Sequence, residues 1–128
     1  MTNGTALSKS KLVGFIATRD QARAKIFYRD VLGLTLVSED QFATVFDAHG
    51  TMLRVSPVRE LAPAQYTVLG WEVADIAAAV AAMSRVGGKF EQYGFPTQDA
   101  QGIWSAPGGA KVAWFKDPDG NILSLSQH

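Results

Sequence analysis

Apolar and polar positions along the chain run through the same pattern twice. Leu12 to Thr18 is an apolar run of strand length, and Asp20 then stands where it would cap a helix beginning at Gln21. On that helix Ala22, Ile26, Phe27 and Val31 recur mainly at four-residue spacing, which predicts one apolar stripe. Gly33 stands where a left-handed residue ends the helix. Three strand-like runs follow, Leu34 to Ser38, Phe42 to Phe46 and Thr51 to Ser56, the last two joined by the tight turn Asp47-Ala48-His49-Gly50. After a stretch carrying Pro57 and Pro63 the pattern restarts with a strand from Thr67 to Val73 and a second capping position at Asp75. Ile76, Val80, Met83 and Val86 line one face of an alanine-rich helix that ends at Gly87-Gly88. A short strand is predicted over Lys89 to Tyr93, then a long loop through Gly94-Phe95-Pro96 to Gly102. Lys111 to Phe115 and Asn121 to Ser126 form a closing hairpin. Its turn is Asp117-Pro118-Asp119-Gly120, with Pro118 presetting φ and Gly120 free to be left-handed. Ile103-Trp104-Ser105 either extends the sheet or precedes it.

Asp20 and Asp75 start equivalent helices, and Gly50 and Gly120 close equivalent hairpins. The expected fold class is α+β: two βαβββ modules, residues 11–56 and 67–128, with a linker at 57–66 and a flexible tail at 1–10. One helix covers one face of each sheet. Two such sheets side by side curl into a curved mixed sheet with helices outside and a central cup, a natural ligand site.

Composition narrows the chemistry. Apolar residues make up 47%, enough for a core, and charged residues 19%, low enough to suggest surface buried in an oligomer. Twelve basic residues balance twelve acidic ones without a block or stripe, which argues against nucleic acid and anionic membranes as partners. The chain has no cysteine, so disulfides, thiolate metal sites and thiol catalysis are excluded. The opening ten residues lack the apolar stretch of a signal peptide and no run is long enough to span a bilayer; the expectation is a cytoplasmic protein.

Two motifs carry a resemblance. Val13 to Asp20 with Ala24-Lys25-Ile26-Phe27-Tyr28-Arg29-Asp30-Val31-Leu32-Gly33, and Phe115-Lys116-Asp117-Pro118-Asp119-Gly120-Asn121, resemble the opening and closing motifs of the vicinal oxygen chelate superfamily. That group includes glyoxalase I, extradiol dioxygenases, fosfomycin-resistance proteins and bleomycin-binding proteins, and since its members usually form dimers the resemblance implies a homodimer. In its metal-dependent members, inward-facing histidines, glutamates or glutamine hold a divalent ion that chelates two vicinal oxygens. The resemblance puts Val13, Arg54, Val68 and Ser124 at those corners. Valine has no donor atom and a guanidinium has no lone pair to offer, so no metal and no cofactor is expected. His49 lies in a turn and His128 at the chain end, neither placed to ligate.

Strand alternation chooses what shares the cup with those corners. Phe15, Met52, Ser56, Gly70, Glu72, Ile122 and Ser126 point in, and one of Trp114 and Phe115 does. Tyr93, Phe95 and Trp104 belong to a rim or lid, and aromatic walls stack on planar ligands. The candidate ligand-binding set is therefore Val13, Phe15, Met52, Arg54, Val68, Glu72, Tyr93, Trp104, Trp114 and Ser124. Arg54 and Glu72 are the charged members. They either pair with each other or serve a ligand, Arg54 meeting a carboxylate, phosphate or carbonyl and Glu72 a proton or a cation. The function expected is metal-free binding of a small apolar or aromatic molecule, in the manner of the drug-sequestering resistance proteins. The alternatives are a lyase, an isomerase or a dioxygenase-related enzyme with Glu72 and Arg54 as its weak catalytic candidates, and a scaffold with a vestigial cup.

Overall fold

Each module begins with a strand, a capping aspartate and a helix, and both caps form. In the computed structural model, which describes residues 4–128, the Asp20 carboxylate accepts the Arg23 N–H and the Asp75 carboxylate accepts the Ala78 N–H, each at 3.1 Å. The first module runs β1 (Val13–Thr18), α1 (Gln21–Ile26) continuing into a π-helical turn (Phe27–Val31), β2 (Thr35–Glu39), β3 (Thr44–Ala48) and β4 (Thr51–Pro57). The second runs β5 (Thr67–Glu72), α2 (Ile76–Arg85), β6 (Trp104–Ser105), β7 (Lys111–Lys116) and β8 (Ile122–Gln127). The strands form two four-stranded mixed sheets, ordered β1-β4-β3-β2 and β5-β8-β7-β6, and no closed barrel. Strands β1 and β4 are parallel, as are β5 and β8, and the remaining neighbours are antiparallel. Of the expected tail, residues 1–3 lie outside the described residues, and Leu7–Lys9 form one turn of 3-10 helix.

Three local expectations are corrected. On α1 the buried positions are Ala24 and Tyr28, while Ile26 is 54% exposed. A stripe of apolar residues passes over Tyr28, whose ring is buried because its hydroxyl finds Asp117 at 2.7 Å. Strand β3 starts at Thr44 instead of Phe42, because the Asp40 carboxylate takes the Phe42 and Ala43 N–H groups at 2.8 and 3.0 Å and holds them in a turn. Lys89 to Tyr93 is not a strand: Phe90 makes a single bridge to Phe115, and Glu91 N–H donates to the Trp114 carbonyl at 2.8 Å. The outer edge of β7 is thus shared by two fragments, residues 90–91 at one end and β6 at the other. Between them residues 92–103 are laced by side chains. Gln98 donates to the carbonyls of Glu91 and Gly102, both at 2.9 Å, and Asp99 accepts from Gln101 and Ile103.

The covered faces of both sheets share one core. Ile16, Tyr28, Phe46, Leu53 and Val55 from the first module join Ile76, Val80, Ala113, Phe115, Leu123 and Leu125 from the second. The β7–β8 turn locks the modules together. Asp119 accepts from Thr18 Oγ1 and from Arg19 N–H at 2.8 Å, while Asp117 accepts from Tyr28. Asn121 Nδ2 reaches both Asp117 (2.8 Å) and the Ala17 carbonyl (3.0 Å). Asp117, Asp119 and Asn121 are buried, and among the described residues no buried side-chain polar atom lacks a partner.

Removing one donor from this lock leaves a buried acceptor short of a partner. Tyr28→Phe is expected to cost about 1–3 kcal/mol in denaturant unfolding. Burial first, then the Asp117 charge, raises the Tyr28 pKa above its ordinary value of 10.0. The unfolded chain therefore releases that proton at lower pH than the folded one, and the contribution is present below about pH 10 and lost as pH rises beyond it. Stability measured across pH 9 to 12 should fall more steeply in the wild type than in Tyr28→Phe; equal slopes would contradict this assignment.

Candidate functional site

Strand pairing assigns the open face of each sheet. In the first, Phe15, Arg54 and Val45 lie in one cross-strand row, and Val13, Met52 and Asp47 in the next. In the second, Gly70, Ser124 and Trp114 form one row, and Glu72, Ser126, Val112 and Trp104 another. Trp114 is thus the residue on the open face, and Phe115 is 1% exposed in the core. Val68 sits at a bulge between Thr67 and Leu69, 40% exposed.

The first open face is largely apolar and largely uncovered. Phe15 is 69% exposed, with Val13 and Met52 exposed beside it. A hollow of ≈ 300 Å³ there is lined by Val13, Val37, Val45 and Met52, with Lys11 and Asp47 at its edge. The Asp47 carboxylate is turned to the Gly50 N–H at 3.1 Å. Arg54, half-buried, lies on the same face between Phe15 and Val45 and is not part of the hollow's lining.

The second open face is aromatic. Tyr93, Phe95, Trp104 and Trp114 form a connected cluster with ring centroids 5.6–5.9 Å apart, mostly edge-on or tilted. Trp114 Nε1 donates to Thr67 Oγ1 at 3.2 Å. The bond between Tyr93 N–H and Gln98 Oε1, 2.8 Å, fixes the loop that brings Tyr93 and Phe95 onto Trp114. Partial burial first, then the nearby Glu91 charge, holds the Tyr93 hydroxyl above its usual pKa, so it stays protonated at neutral pH. Beside this cluster Ser124 stands over bare backbone: a Cβ on Gly70 would lie 2.7 Å from Ser124 Oγ.

Several expected groupings are not made. Arg54 and Glu72 form no ion pair. Glu72 is exposed at the end of β5, where it borders an inter-module groove of ≈ 480 Å³ with Leu32, Trp71 and Met83. Phe15, Met52 and Arg54 lie on one sheet and Trp104, Trp114 and Ser124 on the other. The hollow on the first sheet is lined by the first module alone, and the aromatic cluster belongs to the second alone. The four corner side chains, Val13, Arg54, Val68 and Ser124, do not fit a divalent cation, since a lone hydroxyl is their only donor oxygen. Among the described residues no group of three or more His, Cys, Asp or Glu side chains could hold a metal ion. Sequence reading missed Gln98 and Thr67, which position the aromatics; a polar residue in a loop gives no local sign of what it braces.

Comparison with known proteins places this geometry. The family model described as Glyoxalase/Bleomycin resistance protein/Dioxygenase superfamily matches residues 11–125. No curated protein matches the sequence. Among solved structures, a lactoylglutathione lyase from Agrobacterium tumefaciens aligns with a TM-score of 0.72 at 17% identity, covering 93% of each chain. A glyoxalase/bleomycin resistance protein/dioxygenase superfamily member from Sphaerobacter thermophilus aligns at 0.72 and 23% identity over 92% of this chain and 96% of its own. A fosfomycin resistance protein from Listeria monocytogenes aligns at 0.73 and 11% identity over 100% and 95%. At these identities the likeness concerns the fold.

The indole pair offers a direct check on the cluster. Trp104 and Trp114, 5.9 Å apart, should give a coupled near-ultraviolet circular dichroism signal. Trp114→Ala is expected to abolish that signal, leave the far-ultraviolet spectrum unchanged and cost about 1.5–4.5 kcal/mol, given about 0.5–1.5 kcal/mol for each of its three aromatic pairs. An unchanged near-ultraviolet spectrum would place the rings elsewhere.

Proposed function

The chain belongs to the Glyoxalase/Bleomycin resistance protein/Dioxygenase superfamily, and we propose that it binds a small apolar or aromatic molecule without a metal ion. The observation that carries this reading is the aromatic cluster on an open sheet face. Four rings that could have been spent on the core are held by Gln98 and Thr67 where a planar ligand can stack on them. The donor-poor corners support recognition by shape, stacking and hydrogen bonds. Sequestration of a toxic small molecule fits such a site, since holding a compound requires no reacting group. A cytoplasmic location belongs to the same reading, and no helix among the described residues is long and apolar enough to cross a membrane.

A second copy of the chain completes the cup. In one chain the two open faces do not share a hollow, while Leu12, Val13, Phe15, Val37 and Met52 stay exposed on or beside the first. An apolar face of that kind on one protomer complements the aromatic face of its partner, so a two-fold pair would bury both and enclose two cups.

Phe15→Glu tests the pairing. Phe15 contributes little to the fold of one chain, so the charge should change single-chain stability by no more than about 0.5 kcal/mol. Sedimentation should show the wild type at twice the 13.8 kDa chain mass and the variant at once. A monomeric wild type, or an intact Phe15→Glu dimer, would contradict it. Screening planar aromatic compounds by thermal unfolding tests the binding: a ligand at a hundred times its Kd should stabilise by about 2.7 kcal/mol. The shift should vanish in Trp114→Ala; a ligand that shifts both proteins equally is not bound at this wall.

A further inference from the structure

Arg54 stands apart from every other cation in the chain. Of the twelve lysines and arginines, only Lys25 and Arg54 are half-buried, the rest being exposed. Lys25 has its partner, Glu39, at 3.1 Å. Among the described residues the Arg54 guanidinium has neither an ion pair nor a hydrogen bond to protein, and its nitrogens still reach solvent. Its neighbours in the row are Phe15 and Val45, and along its own strand on the same face Met52 and Ser56. The nearest acid on that face by register is Asp47, whose carboxylate is already used in the β3–β4 turn. Glu72, the other charged candidate, is on the second sheet.

A guanidinium partly stripped of water in apolar surroundings is costly unless an anion meets it. Here a second copy closing over the face would strip it further, and the face opposite offers aromatic rings, the hydroxyls of Ser124 and Ser126, and one carboxylate, Glu72, in the row of Ser126. Glu72 is exposed at the end of β5 and keeps its water, so an anion that enters with the ligand meets the guanidinium at less cost. The planar fork of N–H donors on arginine matches two oxygens carried on one atom, as in a carboxylate or a phosphonate, whereas an ammonium offers only a point charge.

We propose that Arg54 is the anchor for an oxyanion on the ligand, so that the molecule held in the cup is an apolar or aromatic organic anion. Its charged end lies on the guanidinium, with two oxygens accepting from the fork. Its apolar body lies over Val13, Val45 and Met52 and against the Trp104–Trp114 wall. This inference rests on the ligand-binding reading above and adds the charge class to it. Arg54 is a binding residue here; no bond is made or broken.

The test compares probes of one shape and different charge on the full-length protein: 2-naphthoate, its neutral carboxamide, 2-naphthylphosphonate and 2-naphthylmethylammonium, each titrated by calorimetry. The carboxylate or the phosphonate should bind about ten-fold or more tighter than the carboxamide, as charge-assisted hydrogen bonds would give, and the ammonium probe weakest of all. Which oxyanion is favoured separates carboxylate from phosphonate ligands. Arg54→Gln should remove the preference, so that carboxylate and carboxamide bind within about two-fold of each other, and Arg54→Lys should restore part of it through charge without the fork. Carboxamide binding with no gain for either anion, or a gain that survives Arg54→Gln, would overturn the anchor and leave the cup reading standing. Failure of all four probes to bind would overturn both.

Discussion

Two buried aspartates in one turn set the relation between the modules. Asp117 takes the Tyr28 hydroxyl, and Asp119 takes the Thr18 hydroxyl and the Arg19 N–H, so the last hairpin of the second module is tied to the first strand and helix of the first. A buried carboxylate is tolerated only when it is hydrogen-bonded, and here donors from the turn itself, Asp119 N–H and Asn121, are joined by Tyr28, Thr18 and Arg19 from the first module. The geometry that satisfies them also joins the covered faces of both sheets in one core. What remains outside are the two open faces, one apolar and one aromatic. The position of the open faces follows from where the polar lock sits.

The open faces carry little that a core needs. Phe15 and Met52 stay exposed while Ile16 and Leu53, one residue away on the same strands, are buried. Strand alternation makes the division and the helices choose the side. On the second sheet the loop that takes the place of an ordinary edge strand brings Tyr93 and Phe95 over Trp104 and Trp114, at the expense of the expected strand at Lys89 to Tyr93. A split edge gives up ladder hydrogen bonds and gains a wall of rings.

Much of this architecture was legible in the residues. Asp20 and Asp75 announced the helices, Gly120 with Pro118 announced the closing turn, and the alternation of Leu12 to Thr18 and of Thr51 to Ser56 divides buried Ile16, Leu53 and Val55 from exposed Phe15 and Met52. The failures share a cause: they depend on partners distant in sequence. Tyr28 lies off the apolar stripe read along its helix, and the partner its buried hydroxyl takes, Asp117, is 89 residues away. Asp117 and Asp119 read as turn residues because their buried roles are tertiary. Arg54 and Glu72 read as the two charges facing the cup, to pair or to serve a ligand, yet they lie on different sheets and form no ion pair. Which of Trp114 and Phe115 faced the cup needed the register of β7 against β8.

If each cup is built from the first sheet of one chain and the second sheet of another, defects on the two sheets must complement. Arg54→Gln and Trp114→Ala, each purified and each impaired in binding 2-naphthoate, should regain tight sites when unfolded together and refolded as a mixture. The mixed pair joins one undamaged first sheet to one undamaged second sheet. Recovery of wild-type-affinity sites on mixing is the predicted result. A mixture that binds no better than its two components would mean that each cup lies within one chain, and would contradict the account.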